Sequence, residues 1–474
     1  MSNQSVFVRE FAEVDRLLVR LERNLEDAKL SLKQQETLLG QIKVYGRNPA
    51  TAGPILTQKG LRILSRYGLD SDSSPSSREA LRCIANAFLL NESARQTFVD
   101  LGYAPRLAER LKLDSNDEEF LVSRMLFLLT YSTDVSFQAL VDKHSLAESI
   151  NMQVERHAKA ISPDMIANSA QNLAAEDAAL TETLKLLFNL TYYEPALAAC
   201  FTPSVPSLIK LILHHPLPEP PLQPPISQLL NALLNLDFNP ATTGATAEYE
   251  SQNPLFPLAN AETVVDRLVD ILDRTIRVQP EKELEISAAP LCTLIRRVHE
   301  FAEPAVRTFM RTRLLPQQHE REKPLGQGDT LPARLLRLST SPNLPTLRDN
   351  VSNLLFELSD KDPSKFVNNI GYGYASGFLV SHGLGVPPAT TMTAGEGGQT
   401  AAKAVNPFNS ITGQELSAEE RDRPQVSEMT DEEKEREAER LFVLFERLKA
   451  TGVVDVKNPV QQAVEKGRFE ELSD

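Results

Sequence analysis

The sequence predicts an all-α protein: an armadillo/HEAT-like helical-repeat superhelix with a flexible C-terminal tail that carries one docking helix. Three observations predict it. Apolar residues recur at three- and four-residue steps, and no alternating period-two run extends over five residues or more. Pro (31) outnumbers Gly (20) and Trp is absent, which is odd for an all-β chain whose tight turns consume glycine. A six-residue apolar theme also recurs along the body. The 474 residues have room for about three domains or one long array, and the recurrence favours the array.

The first 45 residues read as helix. Val14, Leu17, Leu18, Leu21 and Leu25 form one stripe, and a second run extends from Leu30 to Ile42. Asn48-Pro49 ends it, because the residue before proline avoids the α region. The recurring theme then appears at Leu81–Asn86, Ser123–Leu128, Leu184–Asn189, Ile226–Asn231, Leu291–Arg296 and Val351–Phe356, with starts 42, 61, 42, 65 and 60 residues apart. The shorter steps match the roughly 40–47-residue period of armadillo and HEAT repeats. The longer steps imply the same unit with loop insertions, at Ser71 to Ser77, His214 to Pro225 and Asn239 to Pro257. Around the first block Cys83-Ile84 and Ala87 to Leu90 are apolar nearly all round, so that helix is buried on several sides. Asn91 and Glu92 stop it, and helices at 93–101 and 104–111 complete a three-helix unit.

Residues 1–385 form the repeat domain in this reading. Residues 386–415, rich in Thr, Gly, Ala and Pro up to Val405, form a flexible linker. Residues 416–474 form an acidic tail with 10 basic and 16 acidic residues. Within it Thr430-Asp-Glu-Glu433 is a capping box that opens a helix over about 430–450. Ala438, Leu441, Phe442, Phe445 and Leu448 lie on one apolar stripe of that helix, and Gly452 closes it. The stripe must be covered, either by the chain's own body or by a partner's groove.

The net charge is −14, which disfavours nucleic-acid binding, since that needs a basic surplus to displace counterions. Cys83, Cys200 and Cys292 are too far apart for a zinc site or a disulfide framework. The N-terminus has no apolar signal segment, and no run of about 18 apolar residues spans a membrane. A cytoplasmic location is expected. The search for chemistry returns nothing: there is no phosphate loop, dinucleotide fingerprint or nucleophile elbow, and His214-His215 lacks further ligands. Glu118-Glu119 reads as a pair of helix-surface charges at an N-terminus. No metal, cofactor or covalent catalysis is expected.

An interaction protein is the remaining class. Arg62 and Arg66 share one helix face, and an arginine fork matches a partner carboxylate. Asn86, Asn189 and Asn231 occupy the same position in three blocks. They either hold a bound peptide by its backbone or bridge neighbouring helices. A scaffold or import-like adaptor with a peptide-binding groove is the alternative function.

Several segments resemble the synembryn family. Leu81-Arg-Cys-Ile-Ala-Asn86, Met125-Leu-Phe-Leu-Leu-Thr130 and Leu184-Lys-Leu-Leu-Phe-Asn-Leu-Thr191 are similar to its core helices. So are Arg62-Ile-Leu-Ser-Arg66, Leu314-Leu-Pro316 and Phe356-Glu-Leu-Ser359. More specific are Phe366-Val-Asn-Asn-Ile-Gly-Tyr-Gly-Tyr-Ala-Ser-Gly-Phe-Leu379 and His382-Gly-Leu384. In the tail, Asn406-Pro-Phe-Asn-Ser-Ile-Thr-Gly413 and Glu428-Met-Thr-Asp-Glu-Glu-Lys-Glu-Arg-Glu-Ala-Glu-Arg-Leu441 match as well. The resemblance implies a cytosolic, monomeric guanine nucleotide exchange factor and folding chaperone for heterotrimeric G-protein α subunits, with no cofactor. It implies that Arg62, Arg66, Asn86, Phe188 and Asn189 line a groove for the α subunit's C-terminal helix. Leu441, Phe442, Phe445 and Leu448 would cover its switch region. One departure stands out. Residues 387–405 are nearly neutral where some members carry an acidic phosphorylated segment, so regulation by that route is in doubt.

Overall fold

The structure is a computed structural model that describes residues 3–161, 170–238, 253–257, 259–385, 408–409, 411–422, 430, 434 and 436–443. Two compact units make up the chain. The first is Met1–Thr391 with Asn409–Gly413, and the second is Met392–Phe408 with Gln414–Asp474.

The described part of the first unit is built from helices and their connections. Its helices are α1 (Asn3–Asp27), α2 (Leu32–Tyr45), α3 (Gln58–Leu69), α4 (Pro75–Leu90), α5 (Glu92–Asp100), α6 (Ala104–Arg110) and α7 (Asn116–Leu129). Then come α8 (Phe137–His144), α9 (Leu146–Ala160), α10 (Ala170–Tyr193), α11 (Ala198–Phe201), α12 (Val205–His214), α13 (Ile226–Leu233) and α14 (Thr263–Val278). The last are α15 (Glu281–Phe301), α16 (Pro304–Leu314), α17 (Leu331–Leu338), α18 (Pro345–Leu358), α19 (Pro363–Ile370) and α20 (Tyr372–Ser381). Among the described residues the only β pairing is an isolated bridge between Phe408 and Glu415 in the second unit, which also holds α21 (Leu416–Asp422).

Local chemistry sets the boundaries. Ser74 accepts from Ser77 N at 3.1 Å and opens α4. Asn91 ends α4 and caps α5 by accepting from Ser93 N at 2.7 Å. Thr57 and Thr330 cap α3 and α17 in the same way.

The six apolar blocks fall in α4, α7, α10, α13, α15 and α18. These helices form one row, in which each packs against the next, with α2 at its start. A second row, α3, α5 with α6, α8 with α9, α12, α14, and α16 with α17, packs alongside. This is an all-α helical-repeat fold. The long steps between blocks hold helices as well as connections. Each interval holds second-row helices, and the 61-residue step is filled by α8 and the 15-residue α9 as well as by connections. The first expected loop is shorter than its composition suggests. Pro75 suits the first helical position, so Pro75 to Ser77 open α4 and only Ser71 to Ser74 remain as connection. Of the third expected loop, residues 239–252 lie outside the described residues. The stretch Pro195–His214 is long and apolar enough to cross a membrane by composition alone. It is broken into short helical pieces whose Leu197, Phe201, Val205, Leu208, Ile209 and Ile212 are buried in the core.

Stacking buries helix C-termini, whose last carbonyls then need donors. Arginines supply them. Arg267 donates to Ile212 O and His215 O at the end of α12 (3.1 and 2.7 Å). Arg297 donates to Leu233 O and Leu236 O after α13 (3.1 and 2.9 Å), and Arg311 to Leu358 O at the end of α18 (2.9 Å).

His215 ties α12 to α10. Its Nε2 lies 2.8 Å from Asp177 Oδ1 and its Nδ1 2.9 Å from Pro216 O, so both ring nitrogens face acceptors. Burial works against the imidazolium, but the Asp177 carboxylate and the Pro216 carbonyl outweigh it and hold the pKa above the ordinary 6.5. The protonated ring therefore contributes stability that is complete below pH 6.5 and is lost as pH rises through the raised value. His215→Gln should accordingly destabilise the chain more at about pH 6 than at about pH 9, as read by urea denaturation at both. An equal cost at the two pH values would contradict this.

Candidate functional site

The longest shared face in the first row lies between α7 and α10, and polar contacts bolt its buried side. Ser123 Oγ meets Thr183 Oγ1 at 2.9 Å, and Thr183 donates to Glu119 Oε1 at 2.6 Å. Glu119 Oε2 also meets His157 Nε2 of α9 at 2.9 Å and pairs with Arg156. Glu118 takes Ser73 Oγ at 2.5 Å and Arg110 Nε at 3.0 Å. Both carboxylates are buried, which corrects the reading of Glu118-Glu119 as surface charges. Their partners come from distant segments and exclude water from them.

The opposite side is aromatic. Phe120, Arg124, Phe127 and Tyr131 follow one another at helical spacing along and just beyond α7, and Lys185, Phe188 and Tyr192 do so on α10. Phe127 and Tyr131 pack edge to face at 5.3 Å, and Tyr131 reaches Tyr193 at 6.1 Å. Tyr192 stacks on Phe188 at 5.8 Å and meets Tyr193 at 5.2 Å. Tyr192 and Tyr193 remain 60% and 54% exposed. Two cations flank the rings: Lys185 Nζ lies 6.0 Å from the Phe127 ring and Arg124 sits 5.2 Å from that of Phe120. Glu182 holds Lys185 at 3.0 Å. Such a face, apolar in body with hydroxyls and cations at its margin, suits an amphipathic helix.

The structure distributes the residues expected to bind. Phe188 stands in the aromatic face. Asn86 lies on the outer side of α4, two helices away along the row. Asn189 is only 5% exposed, and its Nδ2 donates to Thr130 Oγ1 at 2.8 Å. It bridges α10 to α7, the second of the two roles considered for these asparagines. Both helices turn the same side outward, through Arg82 and Leu89 on α4 and through Lys185 and Tyr192 on α10, and Asn189 is closed off by its bond to Thr130. Arg62 and Arg66 are exposed on α3, which packs on α1, α4, α5 and α6, so they are not brought beside Phe188. Arg66 Nε lies 4.0 Å from Asp70. Leu441 and Phe442, in the helical stretch 436–443 of the second unit, are 42% and 40% exposed. Phe445 and Leu448 lie outside the described residues. The sequence reading does not single out Tyr131, Tyr192 or Tyr193, although the Phe-x-x-x-Tyr spacing of Phe127–Tyr131 recurs in Phe188–Tyr192.

Among the described residues no three His, Cys, Asp or Glu side chains could together hold a metal ion. Burial pushes the Cys292 thiol up to about 12 and the Cys83 thiol further, so neither is a nucleophile.

Residues 38–468 match the family model described as guanine nucleotide exchange factor synembryn. The chain belongs to the synembryn family. Its relatives include the proteins named Chaperone Ric-8A of Mus musculus, 25% identical over 456 residues (90% of this chain and 83% of that protein), and of Xenopus laevis, 26% identical over 453 residues (89% and 82%). A synembryn-like chaperone of Schizosaccharomyces pombe is 35% identical over 168 residues, 32% of this chain and 30% of that protein. The function of this synembryn-family chain is that of a guanine nucleotide exchange factor and chaperone. Exchange makes and breaks no covalent bond.

Proposed function

We propose that the chain acts on the α subunit of a heterotrimeric G protein, holding its nucleotide-free form during folding and exchange. The observation that carries this reading is the aromatic face of Phe127, Tyr131, Phe188, Tyr192 and Tyr193. Helices packed about 8–10 Å apart offer a furrow wide enough for one further helix. The α subunit's C-terminal helix would lay its apolar side among the rings, with Lys185 and Arg124 near its carboxylates. Asn86, Arg62 and Arg66 would extend the contact toward α3. The tail stripe of Leu441, Phe442, Phe445 and Leu448 would cover the switch region.

The mechanism is linkage. A chain that binds the nucleotide-free form more tightly than the loaded form lowers nucleotide affinity by the same factor, and nucleotide binding in turn releases the chain. Removing the C-terminal helix from its own domain loosens the nucleotide site, GDP leaves, and GTP reverses the complex.

GDP release from a purified α subunit tests this. Full-length chain should accelerate release, and a chain ending at Gly413 should do so less, because it lacks the tail stripe. Release at the intrinsic rate with full-length chain would refute the proposal.

A further inference from the structure

The most specific motifs of the sequence meet in the first unit. The segment Asn409–Gly413 belongs to that unit, so the linker expected over residues 386–415 does not run free along its whole length. Within the segment, Asn409 Oδ1 accepts from Ile411 N at 2.9 Å and Thr412 N at 3.3 Å, and Gly413 N donates to Asn409 O at 2.8 Å. A turn is thereby preformed. The body grips it through the main chain. Gly373 N donates to Ile411 O at 3.1 Å and Leu325 N to Thr412 O at 3.0 Å. Arg321 closes the grip: its Nη1 donates to Gly413 O at 3.1 Å, and its Nη2 to Asn368 O and Asn369 O at 2.9 Å each. The last two carbonyls belong to the C-terminal turn of α19, where a cation is favoured. Arg321 is buried, whereas Ile411 is 61% exposed and is held by its backbone carbonyl.

Glycine is required at one of these points and favoured at another. Gly413 has φ +68°, and a Cβ there would overlap the Leu325 side chain. A Cβ on Gly373 would lie 3.1 Å from Ile411 O.

We infer that Arg321, Leu325 and Gly373 form an intramolecular peptide-binding site whose ligand is Asn409–Gly413, and that this clip fixes the point from which the tail departs. The inference about the tail rests on the proposed function, in which body and tail engage one partner. With the clip closed, Thr430, where the tail helix is expected to begin, lies 17 positions beyond Gly413. With it open, the tether starts at Gly385 and runs 45 positions. Effective concentration falls roughly as the −3/2 power of tether length, and seven of the 17 closed positions are wound into α21 (Leu416–Asp422), so opening the clip dilutes the tail helix by at least about fourfold at a partner held by the body.

The test uses the full chain with Gly413→Ala, which alters only the gripped segment, and Arg321→Ala, which alters the grip. Hydrogen exchange should show the Ile411 to Gly413 and Gly373 amides protected in the parent and exposed in both variants, with α18 still protected. Unchanged protection in the variants, or none in the parent, would overturn the clip. Affinity for a nucleotide-free α subunit should fall at least about fourfold in Gly413→Ala. In a chain already carrying Phe442→Asp, Gly413→Ala should change nothing further. An equal loss in that background would overturn the tether role while leaving the proposed function intact. Absence of any α-subunit binding would refute the proposed function and the tether role with it, and exchange would still decide the clip.

Discussion

Replacing Phe188 and Tyr192 together by alanine is expected to weaken binding of a nucleotide-free α subunit by roughly a hundredfold, about 3 kcal/mol. Titration calorimetry or surface plasmon resonance reads the loss directly. The expectation follows from exposure and geometry. The two rings are stacked at 5.8 Å and stand at the centre of the aromatic face, flanked by Tyr193 and Lys185. Buried by a partner, each aromatic side chain removes about 150–250 Å² from water. In the free chain Tyr192 is 60% exposed, so its truncation leaves no core cavity. Unfolding free energy should change little for Tyr192→Ala alone, within about 0.5 kcal/mol. Tyr192→Phe keeps the ring and should keep most of the affinity. If the double variant binds as the parent does, the aromatic face is not the docking surface.

The fold is legible because its row helices are buried on several sides. A helix such as α4, apolar at Leu81, Cys83, Ile84, Ala87 and Phe88, cannot be placed on a surface, and six such segments in order demand a stack. What the local pattern does not show is which residue of each block faces out. Asn86 and Asn189 align by their apolar neighbours, yet Asn86 is half-buried and Asn189 is closed off by its bond to Thr130. Whether a side chain at the edge of a helix face is covered depends on the partner it meets on the neighbouring helix. Glu118 and Glu119 mislead for a related reason. An acidic pair in a first helical turn has a sufficient local explanation in the helix dipole, while the residues that bury it, Arg110, Arg156, His157 and Thr183, come from three other helices. The peptide clip is half visible. The Gly371-Tyr-Gly373 and Asn409 to Gly413 segments stand out as motifs, but only the fold shows that the first receives the second.

Glu119→Ala should be the most damaging single change in the body, costing about 3–5 kcal/mol of stability. Glu119 is fully buried and ties three helices: Thr183 of α10 donates to it at 2.6 Å, His157 of α9 meets it at 2.9 Å, and Arg156 pairs with it. Alanine leaves His157 and Thr183 without that acceptor in a site that water does not reach, while Arg156 keeps Asp114 at 3.4 Å. The cost should depend on pH in a defined direction. Burial raises the carboxyl pKa, but His157, Thr183 and Arg156 outweigh it and hold it below the ordinary 4.5. The stability from this carboxylate is therefore present above pH 4.5 and is lost as pH falls through the lowered value. Urea denaturation of parent and variant across the acid range should show the two curves converging as the carboxylate is protonated. A second variant separates burial from pairing. Glu119→Leu combined with His157→Leu removes donor and acceptor together, while Ser123 and Thr183 keep each other at 2.9 Å. It should recover a large part of the loss, because an apolar pair of similar volume needs no partner. A double variant as unstable as Glu119→Ala would mean that the carboxylate contributes net binding energy between α7, α9 and α10, beyond the penalty of leaving its partners unpaired.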